Sequence, residues 1–147
     1  MTKNEPKKIY VTKEGFAKFQ AKLLSLYELR REKMRDSEED PDEIVLLNQN
    51  IDEIEKIIKF HEIISSPPKG EQNAVSLGAT VTVETDGHTS DLTIVGSPEA
   101  NPPLGRVSHE SPVGRALLGK RVGEVATLSS NVSIKVLYKV KRITYSL

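Results

Sequence analysis

The chain has no cysteine and no tryptophan among its 147 residues. The first absence excludes disulfides, thiolate catalysis and zinc sites built on cysteine. The only phenylalanines are Phe16, Phe19 and Phe60, and past residue 66 the aromatics are Tyr138 and Tyr145 alone. A core in the second half must therefore be built from Val, Leu, Ile and Ala. No apolar run approaches the length of a membrane span or a signal h-region, and the N-terminus is polar. The expectation is a soluble, cytoplasmic protein with no membrane partner. A last absence is local: no basic residue occurs between Arg35 and Lys56.

That gap exposes a segregation of charge hidden by the net value of zero. Residues 1–35 carry 10 Lys/Arg against 4 Asp/Glu, residues 36–55 carry none against 9, and residues 56–147 carry 11 against 8. Such blocks suit a local electrostatic task better than general coating of nucleic acid. The densest acidic stretch runs Asp36-Ser37-Glu38-Glu39-Asp40-Pro41-Asp42-Glu43, with six carboxylates in eight residues. Carboxylates about 5 Å apart repel by roughly 0.8 kcal/mol per adjacent pair even in water. Capping a helix needs only two of the six, so the excess asks for a cation, a basic partner or an acid-dependent switch.

The acidic stretch lies between two helical patterns. In the first, Thr12 is an N-cap candidate, with Val11 and Phe16 placed as a hydrophobic staple. Phe16, Phe19, Leu23, Leu26 and Arg30 then recur at 3-4-3-4 spacing, which predicts a helix to about Arg35. In the second, Asp40 is the N-cap candidate and Pro41 fits the first helical position. Glu43 stands where it can reach back to the Asp40 N–H. Ile44, Leu47, Ile51, Ile54, Ile58 and His61 follow at 3-4-3-4-3. Two such stripes joined by a short connection predict an antiparallel coiled-coil hairpin over residues 1–66, with the acids at its tip.

Residues 67–73, within Ser65-Ser66-Pro67-Pro68-Lys69-Gly70-Glu71-Gln72-Asn73, read as a linker. Beyond it the apolar period changes from 3.6 to 2. Ala79–Val83 and Leu92–Val95 flank a turn at Asp86-Gly87, and Val125–Leu128 and Ser133–Val140 flank a turn at 129–132. Pro112 to Leu118 reads as a short helix stopped by Gly119. Residues 74–147 are thus expected to form a small antiparallel sheet with one short helix, making the whole chain α+β.

Ser111-Pro112-Val113-Gly114-Arg115-Ala116-Leu117-Leu118-Gly119-Lys120-Arg121-Val122-Gly123-Glu124 resembles the C-terminal signature of the GreA/GreB transcript-cleavage factors. Leu77-Gly78-Ala79-Thr80-Val81-Thr82-Val83 looks like that family's first strand after the linker, and Val11-Thr12-Lys13-Glu14-Gly15-Phe16 looks like its opening helix start. The resemblance implies an FKBP-like second domain that docks on bacterial core RNA polymerase, with Ser111, Pro112, Val113 and Arg115 as docking candidates. It also implies a hairpin that descends the polymerase secondary channel. There, tip carboxylates of the family help hold a Mg²⁺ shared with the polymerase active site, and the polymerase cleaves its own backtracked RNA.

Two features depart from the family pattern. The family's tip carries an Asp and a Glu three apart in a stretch like G-D-L-x-E-N-A-E-Y, whereas here Asp36…Glu39 and Asp40…Glu43 share only the offset. The hairpin is also shorter, by roughly two turns per arm, which at 1.5 Å per residue is a reach deficit of about 10 Å. Metal ligation at about 2 Å does not tolerate such a gap. The reach deficit favours a non-cleaving relative, a Rnk-like regulator or a competitor for the channel, whereas the acidic tip favours a stimulator of cleavage. The protein would then have no catalytic residues of its own, bind no cofactor alone and act as a monomer.

The tip acids Asp36, Glu38, Glu39, Asp40, Asp42 and Glu43 remain the candidates for assisting Mg²⁺. Asp40, Asp42 and Glu43 form the narrower ligand set, active only with polymerase. The plainer alternative is that Asp40 and Glu43 cap a helix and the rest are solvated. Arg30, Arg31, Lys33 and Arg35 are candidates for contacting nascent RNA phosphate; the plainer alternative is pairing with Glu28, Glu32 and the tip. Arg30 falls on the apolar stripe and so has a structural alternative of its own. His61, on a helix, His88, in a turn, and His109, on a strand, show no ligand spacing, and Ser111 reads chiefly as a helix cap. A prolyl isomerase and a coiled-coil adaptor with another partner are the competing classes. The first needs an aromatic-lined proline pocket, for which the second half has neither Phe nor Trp.

Overall fold

The computed structural model describes residues 7–36, 40–129 and 135–146. Glu38, Glu39 and the expected turn residues 130–132 lie outside the described residues. The described elements are, in order, β1 (Ile9–Val11), α1 (Lys13–Arg35), α2 (Pro41–Phe60), β2 (His61–Ile63), β3 (Ala79–Thr85), β4 (His88–Val95), β5 (Arg106–Ser108), α3 (Pro112–Leu117), β6 (Val125–Ser129) and β7 (Lys135–Tyr145). β1 and β2 pair as a two-stranded ribbon. The chain divides into two compact units, one of residues 1–9 and 13–62, the other of residues 10–12 and 63–147.

The first unit is the α1–α2 hairpin. Helix α2 begins where the local signals place it: Asp40 is its N-cap, its carboxylate accepts the Asp42 N–H at 2.9 Å, and Pro41 opens the helix. Along α2, Leu47, Ile51 and Ile54 are buried, while Ile44 and Ile58 are half-buried. The α1 stripe of Phe16, Phe19, Leu23, Leu26 and Arg30 is half-buried throughout. Two helices alone cannot enclose every side chain of both stripes, so burial concentrates at the middle of α2, where Ile51 reaches 0% exposure. At the other end His61, exposed, stacks on Phe16 with ring centroids 4.0 Å apart.

The second unit holds a five-stranded sheet in the order β5-β4-β3-β7-β6. β3 and β4 form a hairpin whose central residues Asp86 and Gly87 have φ of 51° and 80°. Positive φ at both positions matches the right-handed twist of the flanking strands. β7 lies antiparallel between β3 and β6, with a register shift at Thr82/Val83. The core is aliphatic: Val75, Ala79, Val81, Val83, Ile94, Val107, Leu117, Ala126 and Val140 cluster together, with Tyr138 and Tyr145 packed at its margin.

The expectation of a wholly antiparallel sheet is corrected at β5, which pairs parallel to β4. After β4 the chain reverses direction twice. Pro98, Pro102 and Pro103, which lack an N–H to offer a ladder, keep the intervening segment out of the sheet. The second reversal is closed by Asn101 and Arg106, whose backbones bond each other at 2.8 and 3.1 Å. Two reversals return the strand to its original direction.

The partition also departs from a single cut at residues 67–73. Tyr10–Thr12 and residues 63–73 belong to the sheet unit. Val11 is fully buried and its carbonyl accepts the Ile64 N–H at 2.8 Å. Within the proline-rich stretch Lys69–Glu71 makes a 3-10 turn, and the Gln72 amide donates to the Pro67 carbonyl at 2.8 Å. The Tyr145 hydroxyl then fastens the following residues, donating to the Ala74 carbonyl at 2.6 Å and accepting the Ser76 N–H at 3.0 Å.

Candidate functional site

The last turn of α1 and the first turn of α2 bring opposite charges together. Lys33 Nζ lies 3.0 Å from Glu43 Oε2. Asp40 is engaged as the cap of α2, and Asp36, Asp42 and Glu43 are exposed. Among the described residues no group of three or more His, Asp or Glu side chains is arranged to hold a metal ion. Of the narrower ligand set Asp40, Asp42 and Glu43, two members thus have protein partners.

The four cations separate into distinct environments. Arg30 is a structural residue of the hairpin: its Nη1 donates to Asn48 Oδ1 at 3.0 Å, and its guanidinium lies 5.4 Å from the centre of the Tyr27 ring. Lys33 carries the ion pair with Glu43. Arg31 and Arg35 are exposed and, with Tyr27, Arg30, Met34 and Glu55, line an open groove on the hairpin. Partial removal from water, then a hydrogen bond to Glu55 and its negative charge, hold the Tyr27 hydroxyl above the ordinary tyrosine range, while Arg30 pulls the other way. The phenol thus stays protonated and serves as a donor beside the arginines.

The signature segment opens at the cap of α3, runs through that helix and ends at Glu124, just before β6. Ser111 caps that helix, its Oγ accepting the Gly114 N–H at 3.1 Å and donating to the Ser108 carbonyl at 2.7 Å. Val113 packs against the sheet core. Gly114 is buried, and a Cβ there would run into the Ser108 carbonyl oxygen. Pro112 and Arg115 are exposed, and Arg115 Nε donates to the Glu110 carbonyl at 3.1 Å. Of the four docking candidates, then, Ser111 and Val113 hold the turn together, whereas Pro112 and Arg115 are presented outward.

Several interactions had no sequence signal. The side chains of Asn48 and Glu55 belong to no motif, yet they organise Arg30 and Tyr27. Glu99 accepts both the backbone N–H and the hydroxyl of Thr12, each at 2.6 Å. The histidines are also placed differently from expectation. His61 follows the end of α2, His88 opens β4 rather than lying in its turn, and His109 lies in the turn after β5 instead of on a strand. The His109 ring meets Tyr10 edge-on at 5.5 Å.

Comparisons with known proteins follow the same lines. Residues 70–145 match the model of the family described as "Transcription elongation factor, GreA/GreB, C-term". Transcription elongation factor GreA of Thermomicrobium roseum is 50% identical over 80 residues, covering 54% of this chain and 51% of the relative, so that alignment spans about half of the relative's length. GreA of Chloroflexus aggregans is 36% identical over 140 residues, covering 83% of this chain and 88% of the relative. Among solved structures, GreA factor homolog 1 (Gfh1) of Thermus thermophilus is 25% identical, covers 94% of this chain and 99% of its own, and superposes with a TM-score of 0.43. Among the described residues no helix is long and apolar enough to cross a membrane.

Proposed function

Because this chain belongs to the GreA/GreB family of transcription elongation factors, we propose that it binds bacterial core RNA polymerase and regulates elongation as a non-cleaving competitor for the secondary channel. In this reading the sheet unit docks through the surface around Pro112 and Arg115, and the hairpin enters the channel. The protein modulates the polymerase's catalysis and supplies no active site of its own.

The observation that carries the competitor reading is the engagement of the tip. Asp40 is fixed as a cap and Glu43 faces Lys33, which leaves Asp42 as the exposed member of the ligand set with no side-chain partner among the described residues. The 23 residues of α1 and 20 of α2 correspond to arms of about 35 and 30 Å. Short arms and engaged acids both argue against ligation of a metal at the polymerase centre. Contact with nascent RNA falls to Arg31 and Arg35, the exposed cations of the open groove.

The second reading is stimulation of RNA cleavage, favoured by the concentration of acids at the tip. There the carboxylates would share a Mg²⁺ with the polymerase active site. RNA cleavage in purified backtracked complexes separates the two. A competitor stimulates no cleavage and suppresses, in a concentration-dependent way, the cleavage driven by an authentic Gre factor. Efficient cleavage by this protein alone would establish the second reading, and absence of polymerase binding would overturn both.

A further inference from the structure

We infer that β6 is a self-association edge, through which a second copy of this chain extends the sheet by antiparallel β6–β6 pairing. β6 ends the strand order β5-β4-β3-β7-β6, so it has a ladder partner on one side only. The ladder with β7 decides which of its backbone groups face outward. Just before β6, the Gly123 N–H donates to the Val140 carbonyl at 2.8 Å, and the Val140 N–H donates to the Glu124 carbonyl at 2.9 Å. Antiparallel pairs alternate between hydrogen-bonded and non-hydrogen-bonded, so Ala126 and Leu128 turn their groups to Tyr138 and Val136. Leu137, opposite Thr127, points its carbonyl the other way, where it accepts the Thr85 hydroxyl at 3.2 Å. The N–H and C=O of Val125, Thr127 and Ser129 therefore face away from the sheet, and all three residues are exposed.

The two edges of the sheet differ. β5 has three residues and opens on Arg106, whose outer side is taken up by backbone bonds to Asn101. Short, charged or covered edges are the usual protection against pairing with another chain. β6 lacks that protection: Val125-Ala126-Thr127-Leu128-Ser129 contains no charge and no proline. Among the described residues no hydrogen bond is made to the outer side of Val125, Thr127 or Ser129. The nearest acid, Glu124, folds back, its Oε1 accepting the Arg121 N–H at 2.8 Å.

A second copy fits this edge because the outward residues occupy alternate positions with Thr127 in the middle, the pattern a two-fold axis needs. An axis through Thr127 sets Thr127 against its own copy and Val125 against Ser129 of the second molecule, each as a hydrogen-bonded pair. In such an isologous contact a charge near the axis meets its like, and like charges directly opposite destabilise a ladder. An uncharged edge is therefore what self-pairing requires. The nearest cations, Lys135 and Lys139, stand opposite Ser129 and Val125 on β7. Across the axis they would lie three strand spacings apart, about 14 Å, which exceeds the screening length of about 8 Å at physiological salt. An interface of one short strand falls in the class below about 1,200 Å², whose complexes are weak and reversible. The monomer expected from the sequence is then the dilute form.

Disulfide cross-linking reads this register directly, because the chain has no cysteine of its own. In the full-length protein under a mild oxidant, Thr127→Cys is expected to form a covalent dimer. The Cα atoms of a hydrogen-bonded pair lie about 5.5 Å apart, within disulfide range. Ser129→Cys alone is expected to stay uncross-linked, since its own copy would lie about 13 Å along the strand. Combining Val125→Cys with Ser129→Cys should restore the cross-link. No cross-link in Thr127→Cys, or equal cross-linking of Thr127→Cys and Ser129→Cys, as random collision would give, overturns the inference. By sedimentation equilibrium the parent is expected to dimerise as its concentration rises. Thr127→Lys, with an unchanged circular dichroism spectrum, should weaken that association by about 5-fold or more. A parent that stays monomeric at high concentration, or unchanged association in Thr127→Lys, would also overturn it. None of these measurements involves polymerase, so their failure would leave the proposed function standing.

Discussion

Lys33 and Glu43 face each other at the tip of the hairpin, where α1 ends and α2 begins, Nζ to Oε2 3.0 Å, with side chains 27% and 56% exposed. The pair joins the last turn of one helix to the first turn of the next. Exposed pairs of this kind contribute about 0.2–1 kcal/mol and weaken with salt. It orders the tip without locking it. Glu43→Gln should therefore lower stability by less than about 1 kcal/mol, and by less still at high salt. Chemical denaturation at two ionic strengths measures this, and a loss of several kcal/mol would show that the pair is a principal support of the hairpin.

The tip acids make a second, functional forecast. Converting Asp40, Asp42 and Glu43 together to amides should leave competition against a Gre factor nearly intact, because docking is assigned to the other unit. The parent protein should itself stimulate no cleavage. Cleavage present in the parent and lost in the amide variant would show that the eight-residue acidic segment spans the missing reach of about 10 Å.

Ile51 is the most enclosed side chain of α2, at 0% exposure. Ile51→Ala should cost about 2–4 kcal/mol as a core truncation. The loss should appear in the helical signal of the hairpin, while amide exchange in β3 and β7 remains slow. Equal loss in both would mean that the two units unfold as one.

Gly114→Ala tests the signature segment. The added Cβ meets the Ser108 backbone oxygen, which cannot swing aside as a flexible side chain would. The expected destabilisation is at least about 1–3 kcal/mol, the range for overpacking, and it should be confined to the sheet unit. A neutral result in thermal melts would show that the turn before α3 can shift.

Arg115→Glu separates docking from folding on that same turn. Arg115 is exposed, so the variant should melt near the parent temperature while its affinity for core polymerase falls by about 10-fold or more, equivalent to about 1.4 kcal/mol. Ser111→Ala, which removes a cap, should do the reverse, costing about 1 kcal/mol of stability with a smaller effect on binding. Unchanged binding in Arg115→Glu would move the docking surface elsewhere.

Both helix starts were legible in the sequence because their signals are contiguous. Asp40-Pro41 needs only neighbouring residues to cap and open α2, and Ser111-Pro112 does the same for α3. The structural alternative for Arg30 was also readable from its place on the apolar stripe, though its partner Asn48 was not. What escaped the sequence depends on distant pairing. β5 has three residues and no alternation to reveal it, and its direction follows from the Asn101–Arg106 closure that precedes it. Glu99 is an isolated acid in a polar turn, and its partner Thr12 lies 87 positions away. At the tip, residue type was informative about charge, but which carboxylate would meet Lys33 depended on how the two helices pair.

The placement of β7 between β3 and β6 has a kinetic consequence. Val81 and Val83 are flanked on one side by β4, a near neighbour in sequence, and on the other by Ile143 and Val140, whose strand is the last described element. The helical hairpin relies on contacts close along the chain and can form on the microsecond scale, whereas β3–β7 closure requires a long loop to be drawn together first. During synthesis, the β3–β4 hairpin is therefore expected to wait with one apolar edge open until β7 has left the ribosome. That interval is when the sheet unit is most exposed to misassociation, and substitutions that slow the arrival or pairing of β7 should lower soluble yield more than they lower the stability of the finished protein.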